Sequence, residues 1–201
     1  ISDGDATLIA AFRSDGQQHE VTYVDAQGES HTTNAILLDG YETITQEYGT
    51  NYVFLNQGCY YVGTDITYTN TIKLQGNVTI ILGNGKTMTS QRIYYNYDLT
   101  IYGQSLDNNT AGTLICNSTL GIYNVNSYTQ HSGNVSINSD SSAGSYGINA
   151  NRVTLNGGKL TINVHGSNPN AIYASVNITI NGGQLDEIEI GRAVQQECRD
   201  R

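Results

Sequence analysis

Three of the Ile-Tyr dipeptides, those ending at Tyr94, Tyr123 and Tyr173, carry the residues best suited to contact a ligand. A tyrosine one position after an inward isoleucine faces the other side of a strand, so the three predict an outward aromatic column. Neighbouring strands lie roughly 4.8 Å apart, and rings repeated at that interval offer sugar faces an amphipathic platform. Asn149, which follows Ile148, interrupts the column. The plainer role of such a row is cross-strand packing on a solvated sheet.

Other chemistry has less support. Gly85-Lys86-Thr87 resembles the end of a phosphate-binding loop, but Ile80 stands where its first glycine belongs and no helical pattern follows, so Gly85 is read as a turn residue. His19, His31, His131 and His165 lack ligand spacing, and no G-x-S-x-G elbow occurs. Asp98, Asp107, Asp140 and Asp186 are spread thinly. Arg92, Arg152 and Lys159 are the only basic residues between Lys86 and Arg192. The carboxylate pairs, bound calcium and basic residue by which β-helical polysaccharide lyases and hydrolases work are therefore not gathered. Asp107-Asn108-Asn109 and Asn138-Ser139-Asp140 offer oxygen ligands for calcium, with one carboxylate each, and read by default as polar loops. No catalytic residue, resident metal or cofactor is expected.

The elements that must position the tyrosines are strands. Proline and methionine occur once each, tryptophan never, and 22 glycines accompany 15 tyrosines and abundant Asn, Thr and Ser, which predicts an all-β chain. Val153-Thr-Leu-Asn-Gly-Gly158 returns as Ile178-Thr-Ile-Asn-Gly-Gly183, an offset of 25 residues. Gly158-Lys-Leu-Thr-Ile-Asn163 echoes Gly133-Asn-Val-Ser-Ile-Asn138 at the same offset, with a relative at Gly112-Thr-Leu-Ile-Cys-Asn117. A third phrase, at Ile93-Tyr94, Ile122-Tyr123, Ile148-Asn149 and Ile172-Tyr173, steps by 29, 26 and 24 residues.

Within each phrase apolar and polar residues alternate, the mark of a strand with one buried face. Each unit is too short to enclose a core, whereas parallel stacking of coils buries the inward row, giving a β-solenoid. Asn156-Gly157 and Asn181-Gly182 are expected to supply positive φ at the corners. Asn117, Asn138 and Asn163 would then form an internal amide ladder. The competing structure for VTLNGGKLTI is a hairpin turning at Asn-Gly, but independent hairpins would not need the same three phrases in the same order. Tyr128 and Gln130, where Val153 and Leu155 stand one coil later, predict a bulge or insertion there.

Upstream, Thr71-Ile-Lys-Leu74, Val78-Thr-Ile-Ile-Leu82 and Leu99-Thr-Ile-Tyr-Gly103 read as the first coils. Residues 1–62 lack the repeat and carry a hairpin, Glu20-Val-Thr-Tyr-Val24 and its return, turning at Asp25-Ala-Gln-Gly28. The expected organisation is a small β cap over 1–62, coils over 63–188 and a foreign tail over 189–201.

Charge narrows the partners. Nine Lys and Arg against 18 Asp and Glu give a net charge of −9, which disfavours nucleic acid. No apolar run is long enough to span a bilayer, so no membrane insertion is expected. Beginning at Ile1, the chain is expected to have lost a preceding segment, a signal peptide included. Cys59, Cys116 and Cys198 form neither a CxxC pair nor a disulfide framework.

The phrases from Leu55 to Ser90, then LTIYGQS from Leu99, then VTLNGG and ITINGG, resemble secreted right-handed parallel β-helix surface proteins of gut and rumen bacteria, often described as carbohydrate-binding. The resemblance covers most of residues 20 to 185. It implies right-handed coils, an extracellular or cell-surface location, and a polysaccharide or host glycan as partner. Cys59 departs from it, since an aromatic is expected there. The function that follows is a non-catalytic, adhesive or structural surface module. The alternatives are a carbohydrate-binding module and, further off, a polysaccharide lyase or hydrolase.

The last residues, Ile190 to Arg201, break from this composition and resemble the in-frame translation of a short-read sequencing adapter, with Glu189 at the junction. Cys198 then has no functional meaning, and the natural chain is expected to continue beyond Ile188. The alternative is a short amphipathic helix. Sequencing of the parent DNA is expected to show adapter bases from this point, whereas a genomic clone encoding the same tail would overturn the reading.

Overall fold

The computed structural model describes residues 18–141, 145–166 and 169–190. The expected tail falls outside them apart from Glu189 and Ile190, whose backbones alone are described. Among the described residues there is no helix, and so none long and apolar enough to cross a membrane.

Sixteen strands follow in order: β1 (Gln18–Val24), β2 (Ser30–Leu38), β3 (Ile44–Glu47), β4 (Thr50–Val62), β5 (Ile66–Thr67), β6 (Thr71–Leu82), β7 (Thr87–Ser90), β8 (Ile93–Tyr94), β9 (Asp98–Gly103), β10 (Thr113–Asn117), β11 (Leu120–Gln130), β12 (Asn134–Ser141), β13 (Ser145–Leu155), β14 (Lys159–Gly166), β15 (Pro169–Ile180) and β16 (Gln184–Ile190). They make two sheets. The smaller has six strands in the order β16-β14-β12-β10-β7-β5, every neighbouring pair parallel. In the larger sheet β4, β6, β8 with β9, β11, β13 and β15 stack in parallel. The chain is thus a β-solenoid of stacked coils, each with one strand layer in either sheet.

The three sequence phrases reduce to two sheets because the Ile-Tyr and VTL phrases share one long strand. Nor is VTLNGGKLTI a hairpin: β13 pairs with β11 and β15, β14 with β12 and β16, and the Gly-Gly corner carries the chain from one sheet to the other.

Register fixes the core. Val53, Ile72, Ile93, Ile122, Ile148 and Ile172 pair in one unbroken row, and Ile66, Met88, Leu114, Val135, Leu160 and Leu185 in another. Fully burying a side chain of this size is worth about 1.5–3 kcal/mol. The rows run on to the last coil, where Ile178 and Ile180 are 49% and 57% exposed.

The glycine expectation needs correction. Positive φ falls on the last residue of each corner, at 77° for Gly133, 75° for Gly158 and 87° for Gly183, and not on Asn156-Gly157 or Asn181-Gly182. Gly157 serves a different need: a Cβ there would lie 2.4 Å from the His131 carbonyl oxygen one coil away. Close stacking of corners excludes it.

The bulge expected at Tyr128 and Gln130 also lies elsewhere. Both residues hold register with Val153 and Leu155, and the extra residue enters between Ile122 and Val125, beside Asn124 at φ 54°. Tyr128 and Gln130 point into the core, both fully buried. They are tolerated because they satisfy each other: the Tyr128 hydroxyl donates to Gln130 Oε1 at 2.7 Å, and Gln130 Nε2 donates to the carbonyls of Gly133 (3.0 Å) and Lys159 (3.1 Å).

Parallel stacking reaches further towards the amino end than the repeat suggests. β4 pairs with β6 at ten positions from Tyr52 to Val62. The outer edge of β4 is covered by β3, antiparallel from Thr50 to Val53, and by the end of β2, parallel from Tyr60 to Val62. Buried Tyr68 closes the other sheet, its hydroxyl donating to Glu42 Oε2 at 2.5 Å. Backbone edges that would otherwise pair with another chain are thereby occupied.

The hairpin forms as expected, β1 on β2. It does more than cover an end, because it lies as a strap along the outer face of the larger sheet. Val21 and Ala35 bury against Ile81. The Ser132 hydroxyl accepts from Gly103 N (2.8 Å) and donates to the Val24 carbonyl (2.6 Å), while Gln104 Nε2 donates to the Thr22 carbonyl.

Tyr128→Phe is expected to lower stability by about 1–3 kcal/mol, because a buried amide oxygen loses its donor. Chemical denaturation checks this, and an unchanged midpoint would mean that the Gln130 oxygen finds another partner.

Candidate functional site

The expected tyrosine column exists as part of a longer strip. Tyr94 and Tyr123 stack with centroids 6.3 Å apart and planes 18° apart. Asn149 does break the register row, being paired with Tyr173, but Tyr146 fills the gap. Its ring lies 5.7 Å from Tyr123 and 6.1 Å from Tyr173. Alternation counted back from Ile148 hides this residue by turning Tyr146 inward. Alternation breaks at Gly147: Gly147 and Ile148 are buried in succession, a Cβ on Gly147 would meet core Ile162, and Tyr146 comes out half-buried. The Gly-Ile dipeptides at Gly121 and Gly147 are the signal, since a Cβ at Gly121 would lie 2.6 Å from the Gly147 carbonyl oxygen.

Towards the capped end the strip continues through Tyr95, Tyr97, Tyr52 and Phe54. Lys73 Nζ lies 4.7 Å from the Tyr95 ring centre and 5.4 Å from that of Tyr52, while its charge pairs with Glu47. The Arg92 guanidinium sits 5.2 Å from the Tyr94 ring centre, and its buried Nε has no hydrogen-bond partner among the described residues. From Tyr52 to Tyr173 the strip crosses five coil intervals, about 24 Å at strand spacing. Tyr95 holds φ at 108°, a conformation that costs a non-glycine residue of order 1–3 kcal/mol.

The asparagine ladder is on the solvent side, not internal. Asn138 Nδ2 donates to Asn117 Oδ1 at 2.8 Å, and Asn163 Nδ2 to Asn138 Oδ1 at 2.9 Å. Each asparagine follows a buried Cys116, Ile137 or Ile162 by one position, so alternation turns it out. A second ladder joins His131, Asn156 and Asn181 at a corner.

The remaining candidate residues stay apart. Gly85 is a turn residue at φ 64°, with Lys86 N bonded to the Gly83 carbonyl. Asp98 accepts from Asn126 and Ser127, and Asp186 pairs with Lys159. Asp107 caps its own loop through the backbone N–H of Asn109. The Asp140 side chain lies outside the described set. The one grouping of three metal-ligand types among the described residues, Asp25, Glu29 and His31, is the hairpin turn. There Asp25 Oδ1 accepts from the Gln27 and Glu29 amides and Oδ2 from His31 Nε2 at 2.8 Å.

Cys59 opens an outward row in register with Thr79, Thr100, Thr129, Thr154 and Thr179. Where an aromatic was expected, its half-buried thiol packs beside Tyr61 and Tyr102 in the small cluster beneath the strap. Cys116 lies in the core, and burial pushes its thiol up to about 12. His131 stacks on Tyr102 with centroids 4.5 Å apart, and Tyr102 meets Tyr23 of the strap at 4.5 Å. Burial lowers the His131 pKa, opposed by the Asp25 carboxylate; the His31 hydrogen bond lowers that of Asp25.

No family model matches the chain, and neither the curated proteins nor the solved structures contain a match to it.

Acid should weaken the strap. A folded-state imidazole pKa held below its unfolded value of about 6.5 favours the neutral form, so its stabilisation is present above that value and is lost as pH falls through the folded pKa. Asp25 acts in the same direction at lower pH. Melting temperature is expected to drop between pH 7.5 and 5, and to drop less in His131→Phe. An equal drop in both would show that His131 does not carry the effect.

Proposed function

We propose that the chain is a non-catalytic extracellular surface module, a β-solenoid that works by display and contact, with a polysaccharide or cell-surface glycan as partner. The observation that carries this reading is the strip of Tyr94, Tyr123, Tyr146 and Tyr173, half-buried or exposed on the outside of a rigid sheet. Rings fixed at coil spacing lose little freedom on meeting a ligand, and they present apolar faces with polar rims. The secreted bacterial setting rests on the family resemblance. The absence of a catalytic role is argued from Asp98, Asp107 and Asp186, each engaged separately by local partners, since glycoside chemistry needs paired carboxylates.

A second reading, a carbohydrate-binding module that tethers a neighbouring catalytic domain, draws on Tyr95. Backbone strain at a surface aromatic within the strip is of the kind retained at binding sites.

Replacing Tyr94, Tyr123, Tyr146 and Tyr173 by serine is expected to weaken glycan-array and insoluble-polysaccharide binding by at least about tenfold, with the β circular-dichroism spectrum unchanged. Binding that survives the four replacements removes the strip from the function. A glycosidase or lyase domain in the same gene favours the tethering module, and repeated surface modules favour display.

A further inference from the structure

Between the strap and the larger sheet runs a groove of about 400 Å³, which the tyrosine strip does not enter. Its floor is a register row, Thr79 paired with Thr100 and Thr100 with Thr129. All three are half-buried and outward, and none of their hydroxyls has a partner among the described residues. Ser132 and Ser139, by contrast, spend theirs on backbone carbonyls. A hydroxyl donates once and accepts twice, so three in a row at roughly 4.8 Å offer a repeating set of donors and acceptors.

The wall is aromatic: Tyr102 with His131 stacked on it, and Tyr23 brought in by the strap. The lining, completed by Thr33 and Cys59, contains no carboxylate, lysine or arginine. Asn156 Nδ2 lies 3.4 Å from His131 Nδ1, and burial favours the neutral imidazole. Such a lining has no cationic side chain to pair with a phosphate or a carboxylate. It matches a molecule with apolar C–H faces and many hydroxyls.

The geometry points to this groove as a binding site for a neutral pyranose saccharide, lying against Tyr23 and Tyr102 with its hydroxyls on Thr79, Thr100 and Thr129. The proposal shares with the preceding one the premise of glycan contact, but none of its residues. Its volume lies within the usual range for small-ligand sites, about 300–1,000 Å³. The hairpin then has a second role, since without Tyr23 and Thr33 the threonine row would be an open sheet face.

The test is an amide NMR titration of the full chain with methyl glycosides of glucose, galactose, mannose, xylose and N-acetylglucosamine, and with their neutral oligomers. Expected are saturable shifts centred on Thr79, Thr100, Thr129 and Tyr102. Thr100→Val and Thr129→Val should each weaken binding by about tenfold while the spectrum stays dispersed. Tyr94→Ser with Tyr123→Ser should leave these groove shifts unchanged. Shifts confined to Tyr94, Tyr123, Tyr146 and Tyr173 would overturn the groove and leave the strip standing. Shifts confined to the groove would sustain it and remove the strip. No saturable shift from any sugar, or groove shifts indifferent to both threonine replacements, would overturn the groove.

Discussion

In-register parallel stacking is the constraint on which everything else depends. A slip of one residue between neighbouring coils would turn each inward isoleucine of the Val53 to Ile172 row into solvent and bring each outward tyrosine into the core. Because a coil has no core of its own, its neighbours supply the other half of every apolar contact. The same register that aligns isoleucines inside aligns threonines, asparagines and tyrosines outside. The outer rows are therefore a by-product of the inner ones, and any binding surface made from them inherits the spacing of the backbone hydrogen bonds.

Much of this was legible in the sequence. Alternation in Val153, Leu155, Leu160 and Ile162, together with its return at a constant offset, is sufficient for coils and for the inward rows. The hairpin was legible from Asp25 to Gly28. What failed did so where alternation is interrupted. A glycine has no side chain to assign to a face, so counting by twos across Gly147 places Tyr146 inside. Tyr128 and Gln130 look like a defect until their mutual hydrogen bond is known, because polarity alone says nothing about satisfaction. The asparagine ladder was found in the right residues and put on the wrong side, although its spacing from Ile137 and Ile162 already fixed the face.

The strap was the least legible element. Its hydrogen bonds to Gly103, Gln104 and Ser132 join residues far apart in sequence, and no periodicity announces such contacts. Its position separates two outer environments on one sheet. On the uncovered part the aromatic rings pack on one another in the open. Under the strap the outward row is half-enclosed, and hydroxyls that would otherwise be surrounded by water sit beside stacked rings. In that setting a hydrogen bond to an incoming molecule competes with fewer waters than it would on the open face.

The Ser132 bridge also imposes an order of events. Successive coils contact one another at separations near 25 residues, for instance Val135 with Leu160, so stacking can proceed as the chain is made, each coil serving as the template for the next. Val24 and Ser132 are 108 residues apart. The hairpin pairs residues close in sequence, yet it cannot be fastened until Ser132 has been synthesised and set in its corner. Fastening is thus a late closure over more than four coil lengths, imposed on a zipper whose own contacts span about one coil, and contacts of such separation are expected to slow folding.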